Sequence, residues 1–529
     1  MKITQLKEAQ KKMQPVKKAK KGIFSVIFSR ITVLAMLLII QIMVFVAALT
    51  YMKDYATYIY VALMLLEVCT IIYIVNSKIN PDFKITWIIL ILILPILGSA
   101  FYLYMKIMPG TGLIRRRLAD LNAITKPYMT QDEETLEQLR ISKPANANLA
   151  HYLSKQLSFP VHRNTSVKYF SSGEEKFDEM KIQLRKAKEY IFLEYFIVEE
   201  GLMWNSILDI LVEKVKEGVE VRFMYDGMCS LFQLPYNYDK KMRKLGIKCK
   251  MFSKIRPVMS SYQNNRDHRK ILVIDGKVGF TGGINLADEY INVKERFGHW
   301  KDTAVMLEGE AVQNLTILFL QMWNITQVRT DDFKKYLTPK SLDFKRELGY
   351  ILPYGDSPFD DEIIGEQVYF HILNHAKKYV HIMTPYLILD NEMLNNLTYA
   401  AKSGIEVIII MPHIPDKWYA FILAKTYYEE LIKAGVQIYE YTPGFVHAKI
   451  FVSDNDTATV GTINLDYRSL YHHFECGTFI YNNPVVWEIE RDFQTTLRKC
   501  EKISIMTLRS RSYVERILGR ILRLVAPLM

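Results

Sequence analysis

Two octets carry residue types that could break a phosphodiester. Residues 268–275 read His268-Arg269-Lys270-Ile271-Leu272-Val273-Ile274-Asp275, and residues 447–454 read His447-Ala448-Lys449-Ile450-Phe451-Val452-Ser453-Asp454. Both follow the pattern H-x-K-x4-D. Both run on to a small-residue turn at the same offset, Gly282-Gly283-Ile284-Asn285 and Gly461-Thr462-Ile463-Asn464. Each apolar stretch reads as a buried strand, so His and Lys two positions apart project from one face. Lys270, Lys449, Asn285 and Asn464 can hold the non-bridging oxygens of a phosphate, as metals do in many phosphoryl enzymes. One imidazole can attack phosphorus. The other can protonate the leaving oxygen and then deprotonate an incoming alcohol. A single histidine at the head of an apolar strand is usually an ordinary structural residue. Repetition of the whole pattern moves the reading to catalysis.

The elements that must position these groups also repeat. In the first half, residues 190–198 read as a strand, 204–216 as a helix stopped by Gly218, and 219–225 as the next strand. In the second half, 379–383 is a strand, 392–402 a helix stopped by Gly404, and 405–411 a strand. Ala187-Lys188 matches Ala376-Lys377, and Gly246-Ile247 matches Gly435-Val436. Strands alternating with helices predict α/β halves with largely parallel sheets. Two such halves related by a pseudo-twofold would bring the octets to one interface.

Composition bears on where this chemistry acts, at nucleic acid or at an anionic membrane surface. The chain has 529 residues, half of them hydrophobic, and a net charge of +12. That balance suits an anionic partner. Nine Lys and Arg fall within residues 1–30, with Glu8 the only acid. This basic tail reads either as an anionic-lipid contact or as a solvated orienting segment. Three apolar stretches, 31–52, 58–75 and 85–105, have the lengths of transmembrane helices. Glu67 interrupts the second, and Trp87, Tyr102 and Tyr104 flank the third. The basic tail favours a cytoplasmic N-terminus, and three spans would then place the rest outside. Arg115-Arg116-Arg117 argue for the opposite side. Five scattered cysteines lack metal-ligand spacing and suggest neither a disulfide framework nor a zinc site. No basic-aromatic platform for single-stranded nucleic acid is evident. At the C-terminus, Arg516, Arg520 and Arg523 share one helical face beside Ile517, Leu518 and Ile521. That pattern fits either a basic interfacial helix or a helix packed on the catalytic body.

The chain resembles the phospholipase D superfamily, whose signature is two H-x-K-x4-D motifs, and within it the bacterial cardiolipin synthases. Supporting stretches are Asn265-Arg266-Asp267, Leu286-Ala287-Asp288-Glu289-Tyr290, Trp300-Lys301-Asp302-Thr303, Thr384-Pro385-Tyr386 and Tyr225-Asp226-Gly227. The resemblance runs from about residue 50 to the end. It implies transmembrane helices followed by a duplicated phospholipase D-like α/β fold. The expected organisation is a basic tail 1–30, membrane helices 31–106, a linker 107–160, half 1 at 161–345, half 2 at 346–506 and a basic amphipathic helix 507–529. The expected activity is phosphatidyl transfer from one phosphatidylglycerol to another through a phosphohistidine, releasing glycerol, in a multi-pass protein of the bacterial cell membrane. Hydrolysis, or transfer to another alcohol, is the alternative. No cofactor, metal or nucleic acid is implied. His268 would be the nucleophile and His447 the acid/base, within a catalytic set that includes Lys270, Asp275, Lys449 and Asp454. The motif aspartates would be largely structural. Family members orient each imidazole with a carboxylate farther downstream, and Asp302 and Glu475 hold that place here.

Overall fold

The computed structural model describes residues 55–107, 109–229, 233–253, 264–337, 347–360 and 362–528, with the single positions 39, 43 and 47. Contacts divide the chain into two units. One comprises Met1–Leu113, Ile255–Asn264 and Ile521–Met529, and the other Ile114–Lys254 and Asn265–Arg520.

The smaller unit is helical. The expected second span falls on the helix Ala56–Asn76. The expected third span is not one helix. It breaks at Leu94 into Pro81–Ile93 and Pro95–Ile107, because Pro95 has no N–H to continue the ladder and suits only a new first turn. Thirteen residues reach about 20 Å, short of a hydrocarbon core of about 30 Å. Among the described residues no helix is long and apolar enough to cross a membrane, which corrects the transmembrane reading there. The expected first span and the basic tail lie outside the described residues, positions 39, 43 and 47 apart. Ile74, Ile91 and Tyr102 form a small core, while Tyr58, Leu65, Ile72, Leu92 and Ile93 are exposed.

The larger unit is the duplication. In the expected linker it holds the helices Glu133–Ser142 and Pro144–Leu157, so that stretch is ordered structure. Half 1 supplies β1 (Thr165–Phe170), β2 (Tyr190–Tyr195), β3 (Glu220–Asp226), β4 (Lys248–Phe252), β5 (Arg266–Asp267), β6 (Lys270–Ile274), β7 (Val278–Gly282), β8 (His299–Lys301) and β9 (Ala304–Gly309). Half 2 supplies β10 (Tyr350–Asp356), β11 (Tyr379–Met383), β12 (Glu406–Pro412), β13 (Gln437–Tyr441), β14 (Gly444–Val446), β15 (Ile450–Ser453), β16 (Thr457–Gly461), β17 (His473–Tyr481) and β18 (Cys500–Lys502). The first sheet runs β1-β9-β7-β6-β2-β3-β4. The second runs β10-β17-β16-β15-β11-β12-β13, then adds β18 at the edge. The two orders are the same.

These sheets are mixed, not largely parallel. Along the two matching strand orders, β2-β3-β4 and β11-β12-β13 pair in parallel and the other neighbours antiparallel. The motif strands β6 and β15 run antiparallel to their neighbours. The reason is local. After each octet the chain turns back in three residues as a hairpin, with no room for a crossover helix. Asp275 and Gly276, and Asp454 and Asn455, take φ of 53°, 64°, 54° and 61°. Two successive left-handed residues match the twist of a hairpin, and Asp, Asn and Gly tolerate that conformation best.

Each motif aspartate thus has a structural task. Asp275 accepts the backbone N–H groups of Lys188, Glu189 and Tyr190 at 2.8–2.9 Å. Asp454 accepts those of Lys377, Lys378 and Tyr379 at 2.7–3.1 Å. Both anchor the start of a neighbouring strand, at the opposite end of the motif strand from the histidine. The contacts seen for both are structural, as expected for the motif aspartates.

Candidate active site

Two short ladders between the halves deliver the histidines. β5 pairs in parallel with the head of β17, setting Arg266 opposite His473 and Asp267 opposite Phe474. β8 pairs in parallel with β14, setting Trp300 opposite Phe445 and Lys301 opposite Val446. The registers continue one residue further, where His268 N–H donates to Phe474 O at 2.9 Å and His447 N–H to Lys301 O at 2.7 Å. The next residues along are Glu475 and Asp302.

The carboxylates are therefore exchanged between halves. His268 Nδ1 lies 2.8 and 2.9 Å from the two oxygens of Glu475. His447 Nδ1 lies 2.6 Å from Asp302 Oδ2. Both carboxylates are 0% exposed, and the histidines are 6% and 7% exposed. A carboxylate against Nδ1 holds the proton there and leaves the Nε2 lone pair for chemistry. Lys270 and Lys449 each donate to the carbonyl of their own motif histidine. The sequence placed a carboxylate in each half but not the exchange.

The amides differ. Asn285 donates from Nδ2 to Tyr290 Oη at 2.8 Å and accepts Ile197 N–H at 2.9 Å, so it braces half 1. Asn464 is 4% exposed, and its Oδ1 has no hydrogen-bond partner.

Burial and mutual repulsion disfavour the charged forms of the cationic groups at this centre. Desolvation, then the charges of Lys270 and Lys449, push His268 well below its usual value. Desolvation and Lys449 push His447 down to about 4, against the opposing pull of Asp302. Burial first of all lowers Lys270 to about 8 and Lys449 to about 7. For Asp302, burial acts upward but His447, Lys449 and the Thr303 N–H outweigh it and hold the carboxyl low. A phosphate entering this cluster supplies the missing negative charge, favouring charged lysines and an imidazolium.

Two nearby residues escaped the sequence reading. Lys176, on the helix Gly173–Lys186, is 0% exposed and donates to Ile284 O at 3.1 Å. Burial lowers it to about 7, with Asp302 and Lys270 both within electrostatic reach. Its place four residues before Met180 on a buried stripe was the available signal. His473 packs its ring 5.4 Å from that of His268. Its spacing of two from Glu475 on β17 puts the pair on one strand face. Phe196 stands 4.9 Å from His268, while Tyr290 and Trp300 stand 5.6 and 5.2 Å from His447. Among the described residues, two clusters bring three metal-capable atoms together: His268, His473 and Glu475, and Glu366, Asp390 and Glu392.

The chain is similar to known proteins. The model of the family "Cardiolipin synthase, PLD-like domain" matches residues 180–323 and 369–497. A cardiolipin synthase of Halalkalibacterium halodurans is 35% identical over 455 residues, covering 85% of this chain and 90% of that protein. An uncharacterized protein of Streptococcus mutans is 52% identical over 460 residues, covering 87% and 99%. Among solved structures, phosphatidylserine synthase of Haemophilus influenzae aligns with a TM-score of 0.56 at 16% identity, over 73% of this chain and 99% of that one. That last likeness speaks for the fold alone.

Proposed function

The chain belongs to the cardiolipin synthase family of phospholipase D-like phosphatidyltransferases, and from that premise we propose that it makes cardiolipin from two molecules of phosphatidylglycerol. The observation that carries the reading is the exchanged pairing of His268 with Glu475 and His447 with Asp302. It aims two imidazoles, each backed by a buried carboxylate, at one cationic centre.

In the first step His268 Nε2 attacks the phosphorus of one phosphatidylglycerol. The P–O bond to glycerol breaks as His447 gives its Nε2 proton to the departing oxygen. Glu475 takes up the charge growing on His268 through Nδ1–H. In the second step His447, now neutral, accepts the proton of a glycerol hydroxyl on another phosphatidylglycerol. That oxygen attacks phosphorus, and the P–N bond to His268 breaks. Lys270, Lys449 and Asn464 hold the non-bridging oxygens throughout.

The site works at a lipid surface in this reading. Along the C-terminal helix Tyr513–Val525, Gly519 packs against Thr426 and Ile422. Ile517, Ile521 and Leu524 stay exposed next to Arg516, Arg520 and Arg523. An apolar ridge flanked by arginines suits an anionic membrane. Residues 31–105 hold the chain to the same membrane in this reading. Deleting 513–529 should weaken binding to anionic liposomes, and unchanged binding would remove the helix from the account.

Incubating purified enzyme with phosphatidylglycerol and a chelator, followed by mass spectrometry of the lipids, tests the activity. The account predicts cardiolipin and glycerol, no dependence on chelator, and loss of turnover in both His268→Ala and His447→Ala. Phosphatidic acid as the only product would make the protein a hydrolase.

A further inference from the structure

The pseudo-twofold pairs His473 with Trp300. Each sits two residues before the carboxylate that backs a catalytic histidine, and each ring lies beside that histidine, at 5.4 Å from His268 and 5.2 Å from His447. Half 1 thus places an indole where half 2 contributes an imidazole. The imidazole is costly as it stands. His473 is only 9% exposed, and neither ring nitrogen has a hydrogen-bond partner. A buried polar group without a partner costs free energy that a ligand would recover.

The surrounding atoms say which ligand. His473 Nδ1 lies 3.7 Å from Glu475 Oε1, and His268 Nδ1 lies 2.8 Å from the same oxygen. One potential ligand atom from each of the three residues falls within 4.8 Å of the others. Tetrahedral zinc, with bonds of about 2.0–2.1 Å to nitrogen and similar to oxygen, holds its ligand atoms about 3.3–3.4 Å apart, between the two measured separations. Two imidazoles and one carboxylate suit zinc and its late-transition neighbours. Magnesium and calcium prefer all-oxygen sites.

We propose that His268, His473 and Glu475 form an inhibitory site for a divalent late-transition metal, with zinc as its type. Binding through His268 Nδ1 requires that nitrogen's lone pair. The proton on Nδ1 moves to Nε2, so no proton is gained or lost overall. Nε2 then has no lone pair with which to attack phosphorus, and Glu475 no longer receives the Nδ1–H. The ion stops turnover by fixing the wrong tautomer. Half 1 cannot do the same, because Trp300 offers no ligand. The inhibition rests on His268 being the nucleophile, whereas the binding does not.

The test uses the full-length protein in detergent micelles, stripped with chelator and titrated with zinc chloride in phosphate-free buffer. Calorimetry reads binding without any lipid, and phosphatidylglycerol turnover reads inhibition, so failure of the metal site and failure of the proposed activity are told apart. One zinc per chain should bind, turnover should fall with occupancy, and excess chelator should restore it. His473→Asn should weaken binding at least tenfold and raise the zinc needed for half-inhibition equally, measured against that variant's own metal-free rate. Circular dichroism checks that the variant is folded. Magnesium should not inhibit. Absence of stoichiometric zinc, equal binding by wild type and His473→Asn, or full occupancy with undiminished turnover would each overturn the proposal.

Discussion

His268 and His447 occupy matching places in matching sheets, yet their surroundings differ. Glu475 offers both oxygens to His268 and takes a further hydrogen bond from the Thr462 hydroxyl. Asp302 offers one oxygen to His447 and accepts Thr303 N–H at 2.8 Å. The residue matching Thr462 is Gly283, where a Cβ would stand 2.0 Å from Asp302 Oδ1. Only glycine lets the shorter acid approach. Beneath the octets the difference is larger. Arg269 ion-pairs with Glu194 at 2.6 Å in half 1, both buried, while Ala448 and Met383 fill those places in half 2. The duplication keeps backbone topology, turn and histidine. It lets the support drift in coordinated pairs, a difference that the proposed division of roles between the two histidines would use.

The exchange of carboxylates offers the sharpest way to break this comparison. Glu475→Gln and Asp302→Asn should each lower kcat by about 10²- to 10⁴-fold, because the imidazole loses its tautomer control. Adding Glu475→Gln to His268→Ala should cost nothing more, and likewise Asp302→Asn with His447→Ala. Steady-state rates of the four single and two double variants check this. Additive losses would mean the carboxylates act independently of the histidines across the interface.

The buried ion pair comes next. Arg269→Met strands Glu194 and should destabilise the protein by about 3–5 kcal/mol. Glu194→Met with Arg269→Ala recreates the half 2 solution and should recover most of that loss. Denaturant unfolding measures both. A double variant as unstable as the single one would show that the pair is not exchangeable between halves.

A smaller effect should appear in pH dependence. Lys449 and Lys270 are held near 7 and 8, so their positive charges disappear at lower pH than in water. kcat/KM, which reports the free enzyme, should fall as pH rises through about 7 to 8. On the acid side it should fall where His268, held well below its usual value by burial and the neighbouring lysines, becomes protonated and loses the lone pair that attacks phosphorus. Lys449→Arg should move the alkaline limb upward, since arginine stays charged. A limb that does not move would assign it to another group.

Asp275→Ala and Asp454→Ala should have the smallest effect and the most equal one. Each leaves three backbone N–H groups without a carboxylate, at a cost of about 1–3 kcal/mol. Thermal unfolding should shift by similar amounts, and the folded fraction should keep its kcat. A selective loss of kcat in either would return that aspartate to the chemistry.

These differences mark what was legible in the amino-acid order. The octets, their small-residue continuations and the helix stops predicted two like halves, because each is a local pattern repeated. Strand direction was not legible. A buried run such as 190–195 looks the same in a parallel or antiparallel sheet, and the mixed order follows from hairpins whose closure only Asp275-Gly276 and Asp454-Asn455 hint at. The exchange of Asp302 and Glu475 was out of reach, since it depends on ladders of two and three residues between distant segments. Lys176 hid in a charged helix start, and His473 beside His472 at the head of a strand, with no motif to mark it. Asn285 matched Asn464 by position, but Tyr290 beside it takes up its amide, and the residue matching Tyr290 is Ser469. The third apolar run was long enough for a span by count, and Pro95 divides it.

The central claim is that the two equivalent histidines have taken unequal roles. The direct measurement is to trap the covalent intermediate by acid-free rapid quench of enzyme with labelled phosphatidylglycerol, then map the phosphatidyl adduct by mass spectrometry. The account predicts the adduct on His268, persisting in His447→Ala when the substrate carries a good leaving group and absent from His268→Ala. An adduct on His447, or on both residues, would contradict it.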